Sequence, residues 1–404
     1  MLPFAASTMP LRLAAVVSHP IQYQAPLFRH VAATSGVELT VFFLSDHGVK
    51  PTFDAGFGRA LQYDVPLLEG YRHRFVPNVS LEPSVSKPLG LVNPRLALEL
   101  ARGKFDAVWV HGYAHASDWI AFATAAATHT PILLRGDSTA LHETTLAKRL
   151  VKRAVLTPLV KGAKGLLYVG EQNRRYWEAL GAKPEQLFFT PYSVDNAYFA
   201  ARAREAVAQG RREELRARIG AGTDDVVLLF CGKLIACKRT PDLVEAVRLL
   251  GDAGKRVVLA FVGDGDERLA LERAIAAGGV RAALVGFQNQ SELPAWYAAS
   301  ELLVLPSDAE QWGLVVNEAM AAGLPVVASD LVGCASDLIE GKGTGAVHRA
   351  GDVRSLAAAL RPLIEDAALR RKASERARKM IGRYDVSETA RGVVQALETV
   401  AKKR

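Results

Sequence analysis

Cysteine is scarce in this chain. Cys231, Cys237 and Cys334 are its three thiols among 404 residues, and no two of them stand at the short spacing of a metal-ligand pair. So sparse and odd a set suits a reducing cytoplasm and speaks against a secreted fold stapled by disulfides. No His/Asp/Glu grouping has metal spacing either, so no metal is expected, and the chain holds neither a Walker loop nor a Gly-x-Ser-x-Gly elbow. Long apolar runs are missing too. The apolar stretch from Trp119 to Ala127 is interrupted by Thr124, Thr128 and His129 well short of a membrane span. Met1 to Pro10 has no basic region and only a brief apolar run, so it does not read as a secretory signal. The expectation is a soluble protein, or at most a peripheral one.

What is present is a length and composition suited to a globular protein of two domains: 404 residues, 50% hydrophobic and 23% charged. The net charge of +8 is unevenly spread. Between Thr144 and Gly170 stand Lys148, Arg149, Lys152, Arg153, Lys161 and Lys164, with no acidic residue. Two readings fit: a face held to an anionic membrane, with Leu146, Leu150, Val151, Val155 and Leu159 dipping inward, or a solvated helix face packed on a sheet. Nucleic acid is not expected, because no aromatic side chains interleave with the basic ones.

In chain order, apolar strands at Leu11–Val17 and Val37–Leu44 precede a stretch from Lys50 to Pro94 rich in Pro, Gly and aromatics without period, which reads as a loop-bearing insertion. Further strands follow at Phe105–Val110, Ile132–Leu134 and Gly165–Val169. A junction lies near Thr190–Asp195, and the pattern restarts at Val226–Phe230, Arg256–Val262, Ala282–Val285, Leu302–Leu305 and Val326–Ala328. Thr240 reads as the cap of a helix whose first residue is Pro241. Asp385 with Glu388 reads as a capping box for a last helix reaching about Lys402. Strands alternating with helices imply two doubly wound α/β halves with ligands at strand C-terminal ends.

The densest of these ends is Pro306-Ser-Asp-Ala-Glu310-Gln-Trp-Gly313-Leu-Val-Val-Asn-Glu318-Ala-Met-Ala-Ala-Gly323-Leu-Pro325. It reads as strand, loop and helix, closed by Gly323 and Pro325. Gly313 falls where the first helical amides point out unpaired, a natural anion site. Glu310 and Glu318 are open to three readings: an acid/base pair, acceptors for ligand hydroxyls, or a helix-dipole complement beside a solvated residue. Lys233 and Lys238 leave a strand end together and suit a diphosphate, the alternative being surface lysines on a turn. Gly263-Asp-Gly265 is a tight turn or a ligand loop. His111, His115 and His19 sit at strand ends, as structural or functional imidazoles alike.

Taken together, Cys231-Gly-Lys-Leu-Ile-Ala-Cys-Lys238, Val262-Gly-Asp-Gly265, Val285-Gly-Phe287 and the string from Leu305 to Ser329 resemble the retaining nucleotide-sugar-dependent glycosyltransferases of family 4, which have the GT-B fold. The resemblance covers nearly all of the second half; the first half matches in layout, chiefly at Phe105–His111. It implies two Rossmann-like parallel-sheet domains facing a cleft, an acceptor domain at 1–190, a donor domain at 191–384, and a helix at 385–404 crossing back. It further implies that Lys233 and Lys238 hold the donor diphosphate, Glu310 meets the transferred sugar and Glu318 the ribose. The amides of Gly313, Leu314 and Val315 would cradle phosphate, Gly232 and Gly263 would line the donor, Phe287 would lie by the base, and His111 would face sugar and acceptor.

Two departures stand out. Position 233 is Lys where Arg is frequent, a point charge in place of a bidentate fork. Where many relatives carry a Gly-Gly loop, this chain has Ser18-His-Pro-Ile-Gln-Tyr, so His19, Gln22 and Tyr23 would supply side-chain contacts on the acceptor side. The resulting expectation is a cytoplasmic enzyme, at or near the inner face of the membrane through Lys148, Arg149, Lys152 and Arg153. It would move a hexose from a UDP- or GDP-sugar to a saccharide or lipid-linked acceptor without a cofactor or metal. A nucleotide-sugar hydrolase or epimerase, or an inactive donor-binding partner, are the alternatives.

Overall fold

The structure, a computed structural model, describes residues 9–54, 59–141 and 145–402. The start of the N-terminal stretch, Met1 to Thr8, and Thr144 at the edge of the basic segment lie outside the described residues. The chain divides into two compact units, one of residues 1–51, 66–191 and 386–404 and the other of 52–65 and 192–385.

The first unit is built on a seven-stranded sheet, all of whose pairings are parallel. Its strands are Leu11–Val17 (β1) and Val37–Phe43 (β2), then, after a hairpin of Thr52–Asp54 (β3) and Arg59–Leu61 (β4), Arg72–Phe75 (β5), Ala107–His111 (β6), Ile132–Arg135 (β7), Gly165–Tyr168 (β8) and Leu187–Phe189 (β9). In space the order is β5-β2-β1-β6-β7-β8-β9. The central strands are apolar on both faces because helices cover both. Leu13, Ala15 and Trp109 pack on one side with Phe28 and Leu397; Ala14, Val16 and Val108 pack on the other with Phe122 and Leu156. The last helix, Val386–Ala401, supplies Ala390, Val393, Ala396 and Leu397 to that first core. Gly392 lets it approach the sheet, since a Cβ there would lie 2.1 Å from the Phe189 carbonyl oxygen.

The second unit has a six-stranded parallel sheet in the order β12-β11-β10-β13-β14-β15. Its strands are Val226–Cys231 (β10), Val257–Val262 (β11), Ala282–Gly286 (β12), Leu302–Leu305 (β13), Val326–Ser329 (β14) and Gly345–His348 (β15). Strands β10, β11 and β13 are wholly buried runs of Val, Leu, Ala, Phe and Cys, as helices on both faces require. Two parallel α/β sheets are thus what the alternating pattern implied.

Several local expectations need correction. The segment from Lys50 to Pro94 is not all loop. It holds the antiparallel β3–β4 hairpin and the edge strand β5, whose sequence Arg-His-Arg-Phe gives no apolar run because an edge strand is half solvated. The hairpin groups with the second unit: Asn289 Nδ2 donates to the Gln62 carbonyl at 2.8 Å. Thr240 does not cap its helix. The helix starts at Thr240 itself, after Arg239 in the left-handed region (φ 51°), and the Thr240 hydroxyl is buried without a partner. In the basic helix Leu146–Gly162, Leu159 packs on the core while Leu146, Leu150, Val151 and Val155 are exposed. Among the described residues no helix is long and apolar enough to cross a membrane.

Candidate functional site

In the second unit, β11, β10 and β13 lie side by side and run the same way, so the loops at their C-terminal ends share one edge of the sheet. The first two loops interlock. Gly232 N donates to the Val262 carbonyl at 3.0 Å, and Leu234 N to the Asp264 carbonyl at 2.9 Å. Gly263 has φ 145°, and a Cβ there would stand 1.8 Å from the Gly232 carbonyl oxygen. Only glycine fits both demands.

The loops after β10 and β13 are clamped together. Lys238 ends the short turn Ala236–Lys238, and its ammonium bonds Glu310 Oε2. One step away Asp308 N donates to the Cys237 carbonyl at 2.9 Å, and Arg239 pairs with Asp308 at 3.5 Å. The side chains of Lys238 and Glu310 are 15% and 21% exposed, so this ion pair is largely removed from water, where charges attract more strongly than at a free surface. Lys233 lies half-buried two residues beyond the end of β10.

Beyond Glu310 the chain turns through Trp312 and Gly313 into the helix Leu314–Ala322. Gly313 adopts φ 92°, with a Cβ position only 3.2 Å from Leu305 Cδ2 and Val332 Cγ1. The amides of Leu314 and Val315 open the helix and have no carbonyl one turn earlier to bond. Trp312 anchors the turn. Its Nε1 donates to Asn317 Oδ1 at 2.8 Å, Asn317 Nδ2 donates to the Tyr192 carbonyl at 3.0 Å, and the indole packs against the rings of Tyr192 and Tyr384 at 6.0 and 5.9 Å. Glu318, in the second turn, is 8% exposed. Tyr297 Oη donates to its Oε2 at 2.5 Å. Burial pushes the Glu318 carboxyl up to about 7, partly opposed by that hydrogen bond. Cys231 lies at the end of β10 with Sγ 4.0 Å from Tyr297 Oη, its thiol pushed up to about 12 by burial. Phe287 follows β12, next to Gly286 with φ 83°.

In the first unit β1 and β6 are neighbours, so Ser18, His19 and His111 fall at one edge of that sheet. His19 Nδ1 lies 3.0 Å from Ser18 Oγ, and its ring meets His47 edge-on at 5.0 Å. Burial first, then His47 and His115, lower its pKa to about 4, so it is neutral at physiological pH. Gln24, which the sequence reading passed over, sits with its amide nitrogen 3.3 Å from His111 Nδ1. An amide nitrogen only donates, so Nδ1 accepts and the His111 proton rests on Nε2. Burial and the nearby Arg135 hold that imidazole well below its usual pKa, hence neutral. His111 Nε2, Gln22 Oε1 and Gln24 Oε1 are buried without a partner. One donor and two acceptors withheld from water suit hydroxyl groups. Tyr23 stands immediately before the helix Gln24–Ala33.

Lys238 and Glu310 are therefore brought into contact, and Gly232 and Gly263 lie side by side. Gly313 stands just before the helix that carries Leu314, Val315 and Glu318. His19, Gln22 and Tyr23 lie in the stretch that follows β1, whose neighbour β6 ends in His111. Sequence reasoning missed Tyr297, Asp308 and Gln24. The first sits in the six-residue helix Leu293–Ala298, too short for a periodic signal. Among the described residues no group of His, Cys, Asp or Glu is arranged to hold a metal ion.

Comparison with known proteins concentrates on the second unit. The family described as glycosyl transferases group 1 matches residues 211–380. The alpha-D-kanosaminyltransferase of Streptomyces kanamyceticus is 34% identical over 184 residues, which is 45% of this chain and 47% of that one. The chain thus spans about half the length of that relative. A D-inositol 3-phosphate glycosyltransferase of Catenulispora acidiphila is 30% identical over 306 residues, covering 68% of this chain and 69% of that protein. Among solved structures, HepE of Anabaena, determined with UDP and glucose, superimposes with a TM-score of 0.70 at 18% identity, over 96% of this chain and all (100%) of that one. The fold is that of the GT-B glycosyltransferases, and the chain belongs to the family of group 1 glycosyl transferases.

Proposed function

We propose that this protein transfers a hexose from a UDP- or GDP-linked sugar to a saccharide or lipid-linked acceptor, with retention of configuration and without a metal, in the assembly of a cell-surface polysaccharide or glycolipid. The observation that carries the reading is the Lys238–Glu310 pair set beside the first amides of the Leu314–Ala322 helix. A leaving diphosphate gains negative charge as the glycosidic bond breaks, and a cation together with a helix N-terminus offsets that charge in place. Lys233 and Lys238 are the cations in this scheme. Glu310, in the loop that leads into that helix, accepts from the hydroxyls of the transferred sugar. Glu318 accepts from the ribose, Phe287 lies by the base, and Gly232 and Gly263 permit close approach of the backbone. His111, with its proton on Nε2, faces the sugar or the acceptor, and His19, Gln22 and Tyr23 serve the acceptor. On departure the diphosphate oxygen takes the acceptor proton, so no separate base is required.

The HepE structure with UDP and glucose favours uridine as the base. The basic helix favours an acceptor at an anionic lipid surface, because Leu146, Leu150, Val151 and Val155 are exposed among Lys148, Arg149 and Arg153. On this reading the protein works in the cytoplasm, at the inner membrane face. A thermal-shift series with UDP, GDP, ADP and their sugars tests the donor, since a ligand bound only by the folded state raises its stability. Transfer is tested by nucleotide release with and without acceptor. Release that no acceptor accelerates would favour hydrolysis instead.

A further inference from the structure

The Glu318 carboxylate has two oxygens, and the protein occupies one. Tyr297 Oη donates to Oε2 at 2.5 Å, while no protein group among the described residues is bonded to Oε1. Tyr297 is fully buried, packed against Phe199 at 6.1 Å between ring centres, and its hydroxyl also lies 4.0 Å from Cys231 Sγ. Burial holds the phenol far above its usual pKa, so it is always protonated and always a donor. We propose that Tyr297 is a positioning residue for nucleotide binding: its hydroxyl pins Oε2 and leaves Oε1 of Glu318 as the acceptor for a ribose hydroxyl. This rests on Glu318 meeting the ribose.

The arrangement has a chemical consequence. With Oε2 already accepting from Tyr297, a proton taken up by Glu318 goes to Oε1, the oxygen turned to the ligand. Protonation then converts a charge-assisted acceptor into a neutral donor, and charge-assisted bonds are roughly twice as strong. Burial and the Tyr297 hydroxyl are what act on Glu318; among the described residues the other titratable group close by, Cys231 on β10, stays a neutral thiol. The bond from Tyr297 favours the carboxylate, so losing it moves Glu318 protonation to higher pH. Ribose binding in the wild type should therefore weaken as pH falls through neutrality, and in Tyr297→Phe it should weaken at higher pH.

The test is calorimetric titration of wild type and Y297F, from pH 6 to 9, with the nucleoside diphosphate that binds and with its 2′,3′-dideoxy counterpart. At pH 7.5, Y297F should bind the ribose form about five- to tenfold more weakly, because Glu318 loses its positioning bond and a larger share of it is protonated. The dideoxy form should bind both proteins equally at each pH, showing that the fold and the phosphate site are intact, and its pH profile, set by its own phosphate, should lack the further weakening that the ribose form shows. Y297F matching wild type in ribose affinity and pH profile would overturn the proposal. So would a wild-type profile for the ribose form that merely parallels the dideoxy one, which decides the matter even if Y297F does not fold. Failure of wild type to bind any nucleoside diphosphate would count against nucleotide-sugar transfer itself, a separate result.

Discussion

Replacing Glu318 by Gln should make the protein more stable at alkaline pH and leave it nearly unchanged in acid. Gln keeps the shape of Glu and can still accept the Tyr297 hydrogen bond, but it carries no charge to desolvate. The Glu318 carboxyl is raised from 4.5 to about 7 in the folded chain. Below 4.5 it is protonated whether folded or not, and no penalty applies. As pH rises from there to 7 the unfolded chain ionises while the folded one does not, so folding must take up a proton and stability falls. Above 7 both forms are ionised and the loss is complete. At about 1.4 kcal/mol per pH unit the interval corresponds to roughly 3 kcal/mol. For a unit of this size that is roughly 6–12 °C in Tm. Scanning calorimetry of wild type and E318Q at pH 5 and pH 8 checks it. The difference should be small at pH 5, under about 1 kcal/mol, and several degrees in favour of E318Q at pH 8. An equal difference at both values, or a less stable E318Q at pH 8, would refute the argument. Such a gain would also mean that the wild type keeps a costly buried carboxylate for something other than stability.

Glu310→Gln and Lys238→Ala should each lower turnover more than tenfold in a donor-consumption assay, since each removes one half of the clamped pair. Gln24→Leu removes the donor that fixes the His111 proton on Nε2; kcat should fall several-fold while nucleotide affinity, measured by titration, stays constant. Gly263→Ala places a Cβ 1.8 Å from the Gly232 carbonyl oxygen at φ 145° and should destabilise the fold by about 2–4 kcal/mol in urea titration. Leu150→Glu should abolish sedimentation with anionic vesicles at low salt without changing turnover on a soluble acceptor.

The parts of this chain legible in its sequence are those where burial leaves a one-dimensional trace. The wholly buried strands β10, β11 and β13 are apolar runs bounded by Gly or Pro, and the helix closed by Gly323 ends where its punctuation says. Edge strand β5 left no such trace, because one side of it is solvated and its residues are Arg, His, Arg and Phe. The hairpin of residues 52–61 failed for a related reason: two three-residue strands carry too few positions to show a period. In the site, the anion-binding helix start and the lysines were visible because charge and glycine sit at fixed offsets from a strand end. Tyr297 and Gln24 were not. Each matters through one contact to a residue distant in sequence, 21 positions away for Tyr297 and 87 for Gln24, and nothing local marks such a contact.

The anchoring of Trp312 has a mechanical meaning. Tyr192 opens the main segment of the second unit, and Tyr384 lies one residue short of its end. Both rings rest on the same indole, and Asn317 ties that indole to the Tyr192 carbonyl. The two principal points where the chain leaves this unit are therefore registered against the turn that carries Glu310 and Gly313. A displacement of either tyrosine is therefore expected to alter the packing of that one indole. Trp312 is thus a built-in strain gauge for the site, and its indole emission is the place to watch for it.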